Sequence, residues 1–294
     1  MSTTERQGAA VGADMARSKR GALRRQLTSL SLMHLGLLAI GFTTALPFLW
    51  MVLTSLKTLA EVGLEDWLPV KPQWGNYAEV FRVIEFGRFY WNSVFVAAWI
   101  TFLQVFTCAL AAFSFSRLKW PGRDKIFVLY LATMMVPAMV MMIPTYDIMI
   151  RLGWIDTFTG LIVPAAFTPF GTFLLRQFML TIPSDLDEAA EIDGAGKWRL
   201  FWDIILPLSR PGLITLAIFT FVGAYQSMTW PLVMLRSLHK YTLPIGLLYF
   251  DSTRGQVTHL LMAAVTMSVL PMIVLFVVLQ KYLVKGIQLG AVKG

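Results

Sequence analysis

Six long apolar runs dominate this sequence and leave few architectures open to it. They cover Leu32–Leu56, Tyr90–Phe115, Ile126–Ile150, Gly160–Leu180, Gly212–Leu235 and Leu260–Leu283. A helix needs about 20 apolar residues to cross a bilayer, and each run meets that length. The runs are continuous rather than alternating, and lipid leaves no backbone polar group unsatisfied, so they read as helices and not as barrel strands. Only 14% of the 294 residues are charged, against roughly a quarter in ordinary soluble domains. The expected fold is therefore an all-α polytopic membrane protein with six transmembrane helices.

Prolines 47, 137, 144, 164, 169, 231 and 271 fall inside the runs. Spanning helices tolerate them where neighbours satisfy the freed carbonyls, so they predict kinks and not breaks in the assignment. Orientation follows from the lysines and arginines. Most of the 25 basic residues lie in the N-terminal segment (Arg6 to Arg25), the loop after span two (Arg117, Lys119, Arg123, Lys125), the loop after span four (Arg176, Lys197, Arg199, Arg210) and the tail (Lys281, Lys285, Lys293). That asymmetry places the N- and C-termini in the cytoplasm and the loop Lys57–Arg88 outside. The net charge of +8 is thus a topogenic signal and predicts no nucleic-acid partner.

The first run is too long for a signal-peptide core, which spans about 7–15 residues, and reads as a retained anchor. Residues 1–29 are polar and basic and read as a disordered cytoplasmic tail. Residues 30–88 form the first span and external loop, residues 89–283 the core transmembrane domain, and residues 284–294 a cytoplasmic tail. The glycines of "KGIQLGAVKG" argue against a stable helix in that tail. Cys108, the single cysteine, lies within span two and reads as apolar packing.

No enzyme chemistry is legible. His34, His239 and His259 lack any metal-ligand spacing. "GAGK" at Gly194–Lys197 has Glu191 where a phosphate loop needs glycine and Trp198 where it needs serine or threonine. The chain should bind no cofactor or metal and hydrolyse no ATP itself.

The least membrane-like interior stretch, "DEAAEIDGAGKWRLFWDIILPLSRP" from Asp187, lies within the loop 181–211. Ser184 stands at an N-cap position, with Asp185, Asp187 and Glu188 in the first turn, where the helix dipole favours acids. Leu186, Ala189 and Ala190 share a face. Gly194 permits a left-handed stop. Trp198, Phe201, Trp202 and Ile205 then recur at i, i+3, i+4 and i+7, and Pro207 and Pro211 close the unit. Two short helices joined by a glycine turn are expected. An amphipathic helix on lipid headgroups would explain the second, but the small, acidic first helix fits better in a groove on a protein partner.

At this point the residues resemble a known family. Glu188-Ala189-Ala190, then Gly194, then Ile204, Leu206 and Pro207 are similar to the EAA loop of ABC importer permeases, by which such permeases dock on their ATPase subunits. "FYWNSVFVA" from Phe89, "RLKWPGR" from Arg117, "MTWPLVM" from Met228 and the terminal "GAVKG" resemble the shorter permease of maltose-type carbohydrate importers. The resemblance implies a type-1 permease bundle, with spans two to six shared between two different permeases and span one peripheral. It also implies two ATPase subunits binding ATP and magnesium, and an extracytoplasmic solute-binding protein. Glu188, Ala189, Ala190, Gly194, Ile204, Leu206 and Pro207 would then form the coupling element.

A substrate path is less marked. Tyr225, Gln226 and Trp230, just before Pro231, offer aromatic faces and an amide suited to sugars, although helix packing or an interfacial belt would use them equally well. Asp147, near the end of span three, is the one acid placed within a span, and intramembrane acids are functional by default. A polyol or glycerol phosphate ester is an alternative cargo. A secondary transporter is a weaker alternative: it would usually show paired inverted repeats with interrupted helices and more buried ionisable groups, and six spans with one marginal acid argue against it.

Overall fold

A computed structural model describes residues 33–64, 66–254 and 257–291. The basic N-terminal segment and the last three residues lie outside that range. Among the described residues every regular element is helical. Helix α1 (Met33–Ser55) is apolar and unburied over most of its length. It joins the body only at its end, where Asn76 Nδ2 donates to the Ser55 and Lys57 carbonyls and Ser55 Oγ meets the Tyr77 hydroxyl at 2.7 Å. The turn α2 (Leu59–Val62) and α3 (Gly75–Val83) lead into α4 (Phe86–Arg117), an unbroken helix of 32 residues.

The next three spans are bent pairs. Helix α5 (Arg123–Ala132) and its one-turn extension meet α6 (Ala138–Arg151) at 98°. The break falls at Val136, held extended because the following Pro137 disfavours helical backbone there. Helix α7 (Thr159–Ile162) and the turn Pro164–Ala166 meet α8 (Pro169–Leu180) at 41°, again through an extended residue, Thr168, ahead of a proline. The loop helices α9 (Asp185–Ile192), α10 (Lys197–Arg199) and α11 (Leu206–Leu208) precede α12 (Arg210–Tyr225). The segment 197–208 joins α12 at 73°. Among the described residues three unbroken helices and three bent pairs thus make up to six spans by length and composition. Pro144 and Pro271, by contrast, lie inside helices that continue through them.

Two expectations need correction. The run Gly212–Leu235 is not one helix: α12 stops at Tyr225 and α13 (Thr229–Met234) starts anew. After α14 (Leu243–Arg254), α15 (Thr258–Ala291) continues past Gly286 and Gly290, where the tail was expected to leave helical structure. Each glycine costs about 1 kcal/mol, but a helix already nucleated gains a backbone bond for every residue added.

Packing centres on α4, α8 and α12. Gly171 shows how tightly they meet: a Cβ there would lie 2.8 Å from Cys108 Sγ and 3.1 Å from a Leu216 methyl. Only glycine lets α8 approach this closely, and Cys108 serves as core packing, 1% exposed.

Candidate functional site

The charged loop folds as two short helical pieces around Gly194, as its sequence demands. Helix α9 ends in a Schellman arrangement: Ala195 N–H reaches the Ala190 carbonyl at 2.8 Å and Gly194 N–H the Glu191 carbonyl at 3.0 Å. That geometry needs a left-handed residue after the cap, and Gly194 supplies it with φ +75°. A Cβ at this position would meet no atom within 4 Å, so the requirement for glycine is conformational and not steric. The expected Ser184 cap is absent. Ser184 is itself in helical conformation and makes no side-chain capping bond; its carbonyl instead accepts from the Asp187 and Glu188 N–H groups.

Between Leu200 and Ile205 the chain is a π-helix, in which Leu206 N–H bonds back five residues to the Phe201 carbonyl. Pro207 explains the widening, because it has no N–H for the Asp203 carbonyl and its ring would crowd that oxygen in an α-turn. The aromatic stripe predicted at α-helical spacing therefore splits. Phe201 and Ile205 are buried, whereas Trp198 is 70% and Trp202 47% exposed.

The loop is fused to the spans. Ala190, Leu200, Phe201 and Ile205 share one buried cluster with Cys108, Ala109, Ala112 and Phe113 of α4, Leu175 and Met179 of α8 and Leu216 of α12. A guanidinium clamp reinforces it. Arg117, at the end of α4, pairs with Asp187 of α9 at 3.0 Å and donates to the Met179 and Ile182 carbonyls at the end of α8. Its side chain is 6% exposed and that of Asp187 19%. Nearby, Arg176 donates to the Phe115 carbonyl, pairs with Asp124 at 3.2 Å and lies 4.3 Å over the Phe127 ring, tying α8 to α5.

What α9 leaves outward is mostly small and acidic. Glu188 and Ala189 are exposed, Ala190 is buried, and Ile204, Leu206 and Pro207 are half-buried. Ile192, 86% exposed, adds an unpartnered apolar contact. Lys197 pairs with Glu191, and the ammonium holds that carboxyl below the usual range.

The residues proposed for a substrate path separate. A cavity of about 660 Å³ opens among α4, α6, α7, α12 and α13, and Trp230 borders it, its indole N–H donated to the Gly160 carbonyl at 3.1 Å. Tyr225 does not reach it. The ring is buried and the hydroxyl is donated to the Ser268 carbonyl at 3.0 Å, which makes it a packing residue between α12 and α15. Gln226 is the C-cap of α12 and is exposed. Asp147 is an exposed residue paired with Arg151 one turn on at 2.8 Å, so it needs no pathway to satisfy its charge.

At the other end of α4, a knot absent from the sequence reading joins two connecting segments. Asp156, at φ 57°, accepts at Oδ1 from the Arg236 and Ser237 N–H groups and at Oδ2 from the Ser237 hydroxyl and Lys240 Nζ. Burial alone would raise this carboxyl, but the hydroxyl, the two N–H donors and Lys240 outweigh it and hold it well below the usual carboxylate range. Asn92 of α4 donates to the His239 and Tyr241 carbonyls and fixes the knot to the bundle. Aspartate tolerates positive φ better than most residues, a signal too weak to single out Asp156 in sequence. Among the described residues no group of His, Cys, Asp or Glu is arranged to hold a metal.

The bundle of broken spans, with a glycine-turned charged loop rooted in its core, defines a multi-pass membrane permease. Residues 104–289 match the family described as binding-protein-dependent transport system inner membrane component, and the chain belongs to that family. It is similar to the arabinooligosaccharides transport system permease protein AraQ of Halalkalibacterium halodurans, 32% identical over 90% of this chain and 96% of the relative. It is also similar to the sn-glycerol-3-phosphate transport system permease protein UgpE of Yersinia pestis, 32% identical over 75% of this chain and 81% of that relative. Its fold is that of a chain in the crystal structure of a bacterial ABC transporter involved in the import of the acidic polysaccharide alginate, with TM-score 0.76, 24% identity, and 88% of this chain and 96% of that chain covered. The protein is an ABC importer permease of the inner membrane.

Proposed function

We propose that this chain is one membrane half of an ATP-driven importer that moves a sugar or oligosaccharide, and that the segment Asp185–Pro207 docks on a separate ATPase subunit. ATP and magnesium are then bound by the ATPase, a second permease completes the membrane core, and an extracytoplasmic binding protein delivers the cargo. One observation carries the reading. The loop's buried side chains belong to the same packed cluster as α4, α8 and α12, so a push on α9 cannot be absorbed locally in a close-packed interior. It must displace the spans. The AraQ relative supports the sugar cargo; the UgpE relative favours a phosphate ester as the second reading.

The test replaces Gly194 by valine and Glu188 by lysine and measures ATPase retention and solute uptake at matched expression. A β-branched residue at φ +75° costs roughly 1–3 kcal/mol, distorts the turn and should release the ATPase. Glu188→Lys leaves the backbone sound while reversing an exposed charge, worth roughly 0.3–1 kcal/mol; the complex should persist and transport weakly. If both variants behave like the unmodified protein, the loop is not the coupling element.

A further inference from the structure

The turn between α4 and α5 forms a cavity of its own, about 370 Å³ in volume and lined by Lys119, Trp120, Gly122, Arg123, Asp124 and Lys125. Short ties fix its shape. Helix α4 ends at Leu118, held extended, and Gly122 redirects the chain with φ +83°. Arg123 Nη1 donates to the Leu118 carbonyl at 3.2 Å and closes the turn. Trp120 rests on Phe115 of α4, with ring centroids 5.7 Å apart. The volume falls within the range of about 300–1,000 Å³ usual for small-molecule sites.

Charge in this pocket is unbalanced. Three of its lining residues are basic and one is acidic. That acid, Asp124, is already shared by Arg123 at 3.1 Å and Arg176 at 3.2 Å. The Glu191 carboxyl is lowered by its partner Lys197 and, more weakly, by Lys119, so the acid nearest Lys119 is also taken. Lys119 and Lys125 are exposed, and among the described residues neither pairs with a carboxylate. A purely topogenic role asks only for charge; here the charge stands in a formed pocket.

The pocket also lies where water gives way to lipid. Ile126, Val128 and Leu129 follow Lys125 within one turn of α5 and are 49%, 63% and 68% exposed, on a bent pair apolar enough to span. An anion with an apolar tail satisfies both halves: a phosphodiester meets the two ammonium groups and its acyl chains cover α5. A zwitterionic headgroup would bring its own cation against the lysines, and an acidic protein surface would leave the apolar face of α5 bare. Basic pockets between spanning helices bind anionic headgroups in this way.

We infer that Lys119, Trp120 and Lys125 form a binding site for an anionic phospholipid of the phosphatidylglycerol type, in the leaflet on the side of the charged loop. The inference goes beyond the importer reading, since this ligand is neither cargo nor ATPase.

The test uses the purified complex that contains this chain, in nanodiscs of phosphatidylcholine with a trace of photoreactive lipid. The probes are phosphatidylglycerol and phosphatidylcholine, each with the reactive group near the glycerol end of one acyl chain, and adducts are mapped on peptides of this chain by mass spectrometry. Phosphatidylglycerol should label residues 118–130 and phosphatidylcholine should not. Lys119→Gln combined with Lys125→Gln should cut that labelling roughly thirtyfold, for two lysines at a membrane surface. Lys119→Arg combined with Lys125→Arg retains both charges, should keep the label and excludes a folding defect. Inorganic phosphate in solution should not displace the probe. Equal labelling by both lipids, or unchanged labelling in the glutamine pair, would overturn the site. Displacement by inorganic phosphate would make the pocket a soluble-anion site, and labelling that appears only once the other subunits are stripped away would give it to a protein partner; either result overturns the inference.

Discussion

The two ends of α4 hold similar carboxylate ties in opposite states of satisfaction. At the Asp156 end every oxygen of the carboxylate is engaged, by two N–H groups, a hydroxyl and an ammonium. At the Arg117 end the pair with Asp187 is the more buried of the two, yet Arg117 Nε and Asp187 Oδ1 have no partner. A fully satisfied polar network rigidifies, and a partly satisfied one sits close to alternatives. The Asp156 knot is thus suited to holding two connecting segments in one arrangement. The Arg117 clamp, lodged where α9 meets the spans, has spare hydrogen-bonding capacity and is suited to exchanging partners when the loop moves.

Breaking the clamp should have the largest effect. Arg117→Met strands the Asp187 carboxylate and frees two carbonyls at the end of α8. Removing one member of a buried pair costs about 3–5 kcal/mol, which should appear as a lower thermal midpoint for the purified permease complex and loss of the loop's ATPase contact. Adding Asp187→Leu should recover much of the loss, because an apolar replacement of both members is often neutral. If the double variant is no better than Arg117→Met, the clamp is more than a neutralised pair.

Asp156→Asn should cost less, about 1–3 kcal/mol, since the two N–H groups at Oδ1 can still bond the amide oxygen while the Ser237 hydroxyl can turn to accept from the amide nitrogen. It also sharpens the comparison through pH. The Asp156 carboxyl lies below its ordinary value in the folded protein, so its contribution is complete above the unfolded value of about 4 and shrinks as pH falls below that. Thermal midpoints of the unmodified complex should therefore decline on acidification below about pH 4 more steeply than those of Asp156→Asn.

The smallest effect belongs to Asp147. Its pair with Arg151 is exposed on both sides, and exposed pairs contribute about 0–1 kcal/mol. Asp147→Asn should leave uptake and thermal midpoint unchanged. A large loss of uptake would restore it to the pathway.

How much of this was legible follows from distance along the chain. Apolar runs, the proline-linked bends and the left-handed turn at Gly194 are set by neighbours a few residues apart, and periodicity and turn chemistry expose them directly. The same local logic misplaced Trp198 with Phe201, because α-helical spacing cannot foresee a π-turn forced by Pro207, and it ended α15 too early at its glycines. Tyr225 and Gln226 were drawn toward a path by residue type alone, although burial against α15 claims one and the helix end the other.

The sequence by itself determined a multi-pass helical protein with a charged, glycine-turned loop before its last two spans. Hydrophobic length and backbone stereochemistry suffice for that much. Only the tertiary structure decided that Arg117 grips Asp187 across 70 residues, that Asp156 grips Lys240 across 84, and that Arg176 takes up Asp124 across 52, in the pocket that Lys119 and Lys125 line. Each depends on which helix ends and faces come together, and close packing of the whole bundle, not any local pattern, fixes that.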